Sequence, residues 1–512
     1  MNAFPQKIWL VIVLFLLEGC QGERELSSAD NSTIRFATAQ PLQTFDPHQA
    51  DTGTSFSTYL TLVYDGLIEG NPDDMWSPLP GLAKSWHWLD ETTLEFDLVE
   101  GVTFSDGEPF DATVAKQNID RMLALRGPRF NTVESIQSAE ALGSRTLRLR
   151  LHRADPTLLV AMAGPPGMMI SPRAFENQQL DLEPVGTGPW LYDRNRSTVG
   201  EVHRFTPRPG YFKASTANPS LANYAIHYLP NARARLNALI SGQIDIALVT
   251  HADASSAESI GFKVARRANR WFGITFLDRN GELVPELADP RVRQAMGYAV
   301  DRAALAKALF FGYAQPSSQP MVEGLGYVSE LENYYRYDPD YARQLLQSAG
   351  VDEFSFVAPV LPTESAHFEA VQHYLSQVGI HMQIHVTEPS TIAAISRTRR
   401  YPINTLTYPN YNPDSRHLAI WGTDAIFNPF KVVGHQTDAL ALEARASLDE
   451  ELRARNYDAY YRIVIKDVYS MIYLQVEDLV AYDAAKLDGV RIGGFVDPLL
   501  RRIALKSDSV SP

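Results

Sequence analysis

Apolar positions along the chain follow two periods, and the stretch from residue 270 to 312 contains both. Residues 271–277, Trp-Phe-Gly-Ile-Thr-Phe-Leu, form a short aromatic and β-branched run that predicts a buried strand. A polar turn with Asn280-Gly281 follows. Asp289 is placed to cap a helix with Pro290 at its first position, and Val292, Ala295, Met296 and Ala299 supply its apolar stripe. Asp301 caps a second helix that ends near Gly312. This strand is expected to carry the chain from one lobe to another, with a ligand cleft between them.

Upstream, residues 33–39 predict a first strand and residues 55–64 have helical spacing. Trp86 and Trp88 form one arm of a hairpin; Leu94, Phe96 and Leu98, alternating with Glu95 and Asp97, form the other. Asp111 caps a helix running to about 123. Leu147, Leu149 and Leu151 alternate with Arg148 and Arg150, giving a strand with one wet face. Residues 79–184 thus read as a self-contained α+β insertion. Strand 224–229, a helix capped by Asn231 and stopped by Gly242, and strand 244–249 make a βαβ unit, hence a parallel sheet. Beyond Gly312 strands and helices alternate again: helix 338–350, strand 354–359, helix 364–378, strand 380–386, a further strand at 403–408 and two helices over 437–465. Residues 471–474 and 479–482 predict two apolar strands that recross to the first lobe.

At 512 residues the chain is too long for one core. A net charge of −14, with no block of Lys or Arg, argues against phosphate-directed nucleic-acid binding. Lys7 precedes ten unbroken apolar residues, 8–17, too few for a bilayer span but suited to a signal-peptide core. Leu17-x-Gly19-Cys20 resembles a lipobox, and Cys20 is the only cysteine. Residues 1–20 are therefore expected to be a lipoprotein signal with Cys20 lipidated, and 21–32 a polar tether.

Catalytic patterns are absent: there is no Gly-x-Ser-x-Gly, His-Glu-x-x-His, Walker loop or dinucleotide fingerprint. His381 and His385 stand about 13 Å apart at ~3.3 Å per strand residue, too far to share a metal. Neither Asp73-Asp74 nor Asp338-x-Asp340 has calcium-loop spacing. Gly186-Thr187-Gly188-Pro189-Trp190 lacks the lysine of a phosphate loop and reads as a re-entry turn. No enzyme, cofactor or metal is expected.

Eight segments in order resemble one family: Phe45-Asp46-Pro47-His48; Tyr64-Asp65-Gly66-Leu67; Pro80-Gly81-Leu82-Ala83-x-Ser85-Trp86; Gly101-Val102-x-Phe104-Ser105-Asp106-Gly107; Gly186-Thr187-Gly188-Pro189-Trp190; Arg235-Leu236-x-Ala238-Leu239-x-x-Gly242; Asp289-x-Arg291-Val292-Arg293-Gln294-Ala295; and Tyr337-Asp338-Pro339-x-x-Ala342. Together they resemble the peptide/nickel/opine class (family 5) of extracellular solute-binding proteins, the receptors of ABC importers.

The resemblance implies an α/β two-lobed clamshell, periplasmic-binding-protein-like class II, with an inserted third domain. Domain I would comprise 33–70, 186–270 and 476–507, domain II 71–185, and domain III 271–475. It further implies a monomer at the periplasmic or extracellular face, held by its lipid, that captures a peptide-like solute and delivers it to an ABC permease. A non-peptide solute (metal chelate, opine or oligosaccharide) and a lipid-anchored sensor or chaperone stay open as alternatives. In peptide-binding relatives an aspartate anchors the solute's amine. The matching segment here is Tyr408-Pro409-Asn410-Tyr411-Asn412-Pro413-Asp414, with Asn410 at the anchor position and so without the charge. Tyr408, Asn410, Tyr411, Trp421 and Trp271 are the expected ligand contacts, and Asp414 or Asp65 could restore the charge.

Overall fold

A computed structural model describes residues 32–50, 56–73, 77–175, 180, 182–213, 222–405, 408–409, 413–493 and 498–506. The expected signal, Cys20 and most of the tether lie outside the described residues, as do Asn410 and Tyr411.

One sheet of ten strands runs through both lobes. On the first-lobe side, Thr33–Thr38 lies between Asn223–Tyr228 and Ile246–Leu248, parallel to both, so the expected βαβ unit steps over the first strand rather than pairing with itself. The helix of that unit, Ala232–Ile240, starts at Asn231, whose side chain accepts from the Ala234 N–H. Val202–Pro207 and Trp190–Tyr192 extend this end of the sheet antiparallel. Ile34, Phe36, Tyr224, Ile246 and Val480 point into one apolar core. The opposite face, with Ala37, Ala247 and Ala481, packs on Leu236 and Leu239.

The insertion is a four-stranded antiparallel sheet, Ala83–Asp90, Thr93–Leu98, Thr146–Leu151 and Ile136–Leu142, backed by helix Ala112–Leu125. Leu94, Phe96, Leu98, Leu147 and Leu149 form its own core with Ala115 and Ile119. Its wet face carries a ladder of ion pairs, Arg148–Glu95 at 2.5 Å and Arg150–Glu140 at 2.6 Å. Such exposed pairs each contribute only tenths of a kcal/mol, so the packed face holds this sheet. The second lobe has a third core, in which Trp271, Ile274, Val292, Met296, Phe356, Trp421 and Tyr461 are all buried. Asp289 and Asp301 cap their helices as expected, accepting from the N–H groups of Arg291 and Ala304.

Three strand readings differ from expectation. The strand read as 271–277 is Lys263–Phe276, and the two pieces read at 471–474 and 479–482 are one strand, Ser470–Tyr482. They pair antiparallel from Lys263↔Tyr482 to Thr275↔Ser470. Residues 403–408, read as one strand, are two short ones, Ile403–Asn404 and Tyr408–Pro409.

Histidine burial predicts how stability responds to acid. Burial pushes His48, His203, His227 and His251 down to about 4, with Arg121 adding to the effect at His48. The unfolded chain protonates each near ~6.5. Between those values the unfolded state binds more protons, so stability is full above 6.5 and is lost as pH falls toward 4. The slope is up to ~1.4 kcal/mol per pH unit for a fully buried group. Asp414, raised to about 6 by burial, and Glu477 and Asp478, raised in the same direction, oppose this; His367 and His417, lowered by burial, add to it, so six imidazoles stand against three carboxyls. The melting temperature should therefore fall steadily from pH 7 to 4.5 in calorimetry; a flat profile would refute the assignment of these histidines as neutral.

Candidate functional site at the crossing strands

The two long strands belong to both lobes. Their outer halves pair within the first-lobe sheet and their inner halves within the second. Register shifts fall between Ala268 and Arg270 and between Phe272 and Gly273. A bulge leaves a residue outside the ladder and increases local twist, so both sit where the ribbon passes from one lobe to the other. Gly273 permits this approach: a Cβ there would lie 2.0 Å from the Met471 carbonyl oxygen.

Polar groups gather at the crossing. Arg267 donates to the Pro72 carbonyl and Asn269 to that of Gly493 at 3.4 Å, which brings a loop at the start of the insertion and a first-lobe loop over the ribbon. Arg491 pairs with Asp73 at 2.5 Å beside them. Arg270 Nη2 lies 2.6 Å from Asp478 Oδ1, and Asp478 is almost wholly buried. Burial pushes the Asp478 carboxyl up while Arg270 and Asn269 pull it down.

Of the expected contacts, Trp271 is fully buried and pairs through its backbone with Gln475 on one side and Tyr408 on the other. Tyr408 lies in the short strand that pairs along the edge of the crossing strand. Trp421 is enclosed in the second-lobe core: its indole N–H donates to Ser470 Oγ at 2.9 Å and its ring meets Tyr461 edge-on at 5.8 Å.

The two candidate replacement charges have partners. Asp65 is held by Arg501 at 2.7 Å, the Thr187 hydroxyl at 2.9 Å and the Tyr211 hydroxyl at 3.0 Å. Asp414 lies 3.0 Å from Arg445 Nε. Burial pushes its carboxyl up to about 6; Arg445 opposes the rise, and the negative field of Asp155 adds to it. Asp155 belongs to the insertion, so that domain stands within electrostatic reach of Asp414 in the second lobe.

Several segments singled out in the sequence serve the frame of the first lobe. Asp46 and His48 both engage Arg121 of the insertion's helix, at 2.6 and 2.9 Å. Gly188 donates to the Val63 carbonyl at 2.8 Å, and a Cβ there would strike that residue's backbone. Arg208 crosses to the Phe104 and Thr187 carbonyls at 2.9 and 2.8 Å. Insertion and first lobe are thereby clamped together. Among the described residues no group of three His, Cys, Asp or Glu side chains could hold a metal ion, and no helix is long and apolar enough to cross a membrane.

Comparison with known proteins gives a consistent answer. Residues 77–427, more than half of the chain, match the description "Bacterial extracellular solute-binding proteins, family 5 Middle". The chain is 28% identical over 369 residues to the glutathione-binding protein GsiB of Pectobacterium atrosepticum, covering 70% of each chain. To GsiB of Escherichia coli K12 it is 27% identical over 361 residues, 69% of each. Among solved structures, HbpA2 of Haemophilus parasuis superposes with a TM-score of 0.81 at 20% identity, covering 93% of this chain and all of that one. NikA of Brucella suis with Fe(III)-EDTA does so at 0.81 and 22%, over 93% and 100% of the two chains. DppA of Helicobacter pylori with the peptide STSA does so at 0.74 and 20%, over 93% and 98%. The two separately packed lobes, the sheet shared between them and these matches place the chain in the bacterial extracellular solute-binding proteins of family 5, as the substrate-binding receptor of an ABC importer.

Proposed function

We infer that the receptor captures a peptide or peptide-like solute between its lobes and presents it to a membrane permease, acting by binding and not by catalysis. The observation that carries this is the single ribbon, 263–276 paired with 470–482, that joins two independently packed cores. A solute touching both cores stabilises the closed arrangement by its differential affinity for the two states, which is all that closure requires. Tyr408, Asn410 and Tyr411 supply the second lobe's contacts in this reading, while Trp271 and Trp421 are buried in the second-lobe core. The peptide-like class is supported by the glutathione-binding relatives and by structural neighbours holding peptides. Asn410 favours a solute whose amine is met elsewhere, because Asp65 and Asp414 are already paired.

Native mass spectrometry of the purified protein, mixed with glutathione and a library of di- to tetrapeptides, tests the class. Retention of library members is expected. Retention of one non-peptide mass and no library member would move the assignment to another solute.

The chain is further proposed to be a monomer on the periplasmic or extracellular face, anchored through a lipid on Cys20 that keeps it near its permease. Cys20→Ser should release the protein to the soluble fraction. Labelled lipid still attached to that variant would refute the anchor.

A further inference from the structure

The ribbon has two unlike faces. Val264 and Leu479 lie on the face covered by helix His251–Ser259, through Ala254. Arg267 and Asp478 are cross-strand partners and share the other face, over which Arg267 reaches the Pro72 carbonyl. Arg270, one bulge further along, pairs through its backbone with Pro409, the residue before Asn410. A charged pair therefore sits where the loops carrying Pro72 and Gly493, the crossing strands and the second lobe's edge strand at Pro409 converge.

That pair is incompletely used. Asp478 is buried, and its Oδ2 has no hydrogen-bond partner among the described residues. The Nε of Arg270 is also buried without a partner, while the Arg270 side chain as a whole is 38% exposed. Buried polar atoms are nearly always satisfied, so each exception calls for a partner from outside the chain, a water, an ion or a ligand. We propose that Arg270 and Asp478 anchor a solute end carrying its ammonium and its carboxylate on one carbon: an amino-acid head group, as in a γ-linked glutamyl peptide. The ammonium donates to Asp478 Oδ2, and the carboxylate accepts from the remaining donors of Arg270. The two side chains already sum to zero charge, so a lone anion or cation leaves one of them unmatched; a zwitterion satisfies both. An ordinary peptide carries its two charges on opposite ends and cannot place both on partners only 2.6 Å apart. The amine thus finds its carboxylate on the hinge strand, where position 410 supplies none.

This anchor rests on the peptide-like reading, and the test separates the two. Titration calorimetry compares glutathione with its isomer α-glutamyl-cysteinyl-glycine, for the unaltered protein, Asp478→Asn and Arg270→Gln. Glutathione is expected to bind at least tenfold more tightly than the α-linked isomer, and each variant to abolish that preference. Because the preference is a ratio measured on one protein, partial loss of folding does not mimic it. Equal binding of the isomers, or an intact preference in both variants, overturns the anchor while leaving peptide capture standing. Binding of neither isomer also overturns it, and the library experiment then decides the peptide class on its own.

Discussion

Replacing Arg501 with alanine is expected to lower the unfolding free energy by about 3–5 kcal/mol, the usual consequence of stranding one member of a buried ion pair. Arg501 donates to Asp65 Oδ1 at 2.7 Å, to the Tyr64 carbonyl at 2.7 Å and to the Thr61 carbonyl. The Asp65 side chain has no exposure at all. Without the guanidinium, the hydroxyls of Thr187 and Tyr211 are its remaining donors among the described residues, and two neutral hydrogen bonds do not offset the burial of a full charge. Adding Asp65→Asn to the alanine variant should recover much of the loss, since the unpaired charge is then gone. Urea denaturation of the two variants decides the matter: a loss below about 1 kcal/mol for the single variant would mean that water reaches the carboxylate.

Trp421→Ala is expected to destabilise by about 3–5 kcal/mol, in the range for truncating a large buried aromatic. The ring is fully enclosed beside Tyr460 and Tyr461, and its N–H ends on Ser470 Oγ, which also lies 2.9 Å from the Thr275 hydroxyl across the crossing strands. The variant should therefore melt much earlier, yet bind solute normally once corrected for the folded fraction. A variant that folds normally but no longer binds would make Trp421 a wall of the cleft.

What could be read from the sequence was what is local. Helix caps such as Asp111, Asn231 and Asp301 announce themselves within three residues of the N–H they accept, and each accepts the expected one. The alternation of Leu94, Phe96 and Leu98 likewise marks a strand with one buried face. The long strands were under-read for a physical reason. Lys263, Arg266 and Arg267 open the first, and Gln475, Glu477 and Asp478 interrupt the second, so apolar periodicity fails where polar groups gather at the hinge. The frame's clamps were half legible. Asp46, His48, Asp65 and Thr187 stand in recognisable segments, but Arg121, Arg208 and Arg501 lie outside those segments. The candidate contacts are legible as types and not as geometry, since only folding decides that Trp421 turns inward while Tyr408 lies at an edge.

The first lobe is sewn from distant thread. Thr33 aligns with Asn223, and the neighbouring Ile246 finds its other partner only at Tyr482. Nascent chain emerging from the ribosome therefore cannot complete this sheet until nearly all of it has been made, and such long-range pairing is slow. The topology that builds the hinge therefore also postpones completion of the first lobe until the last strands of the chain are available.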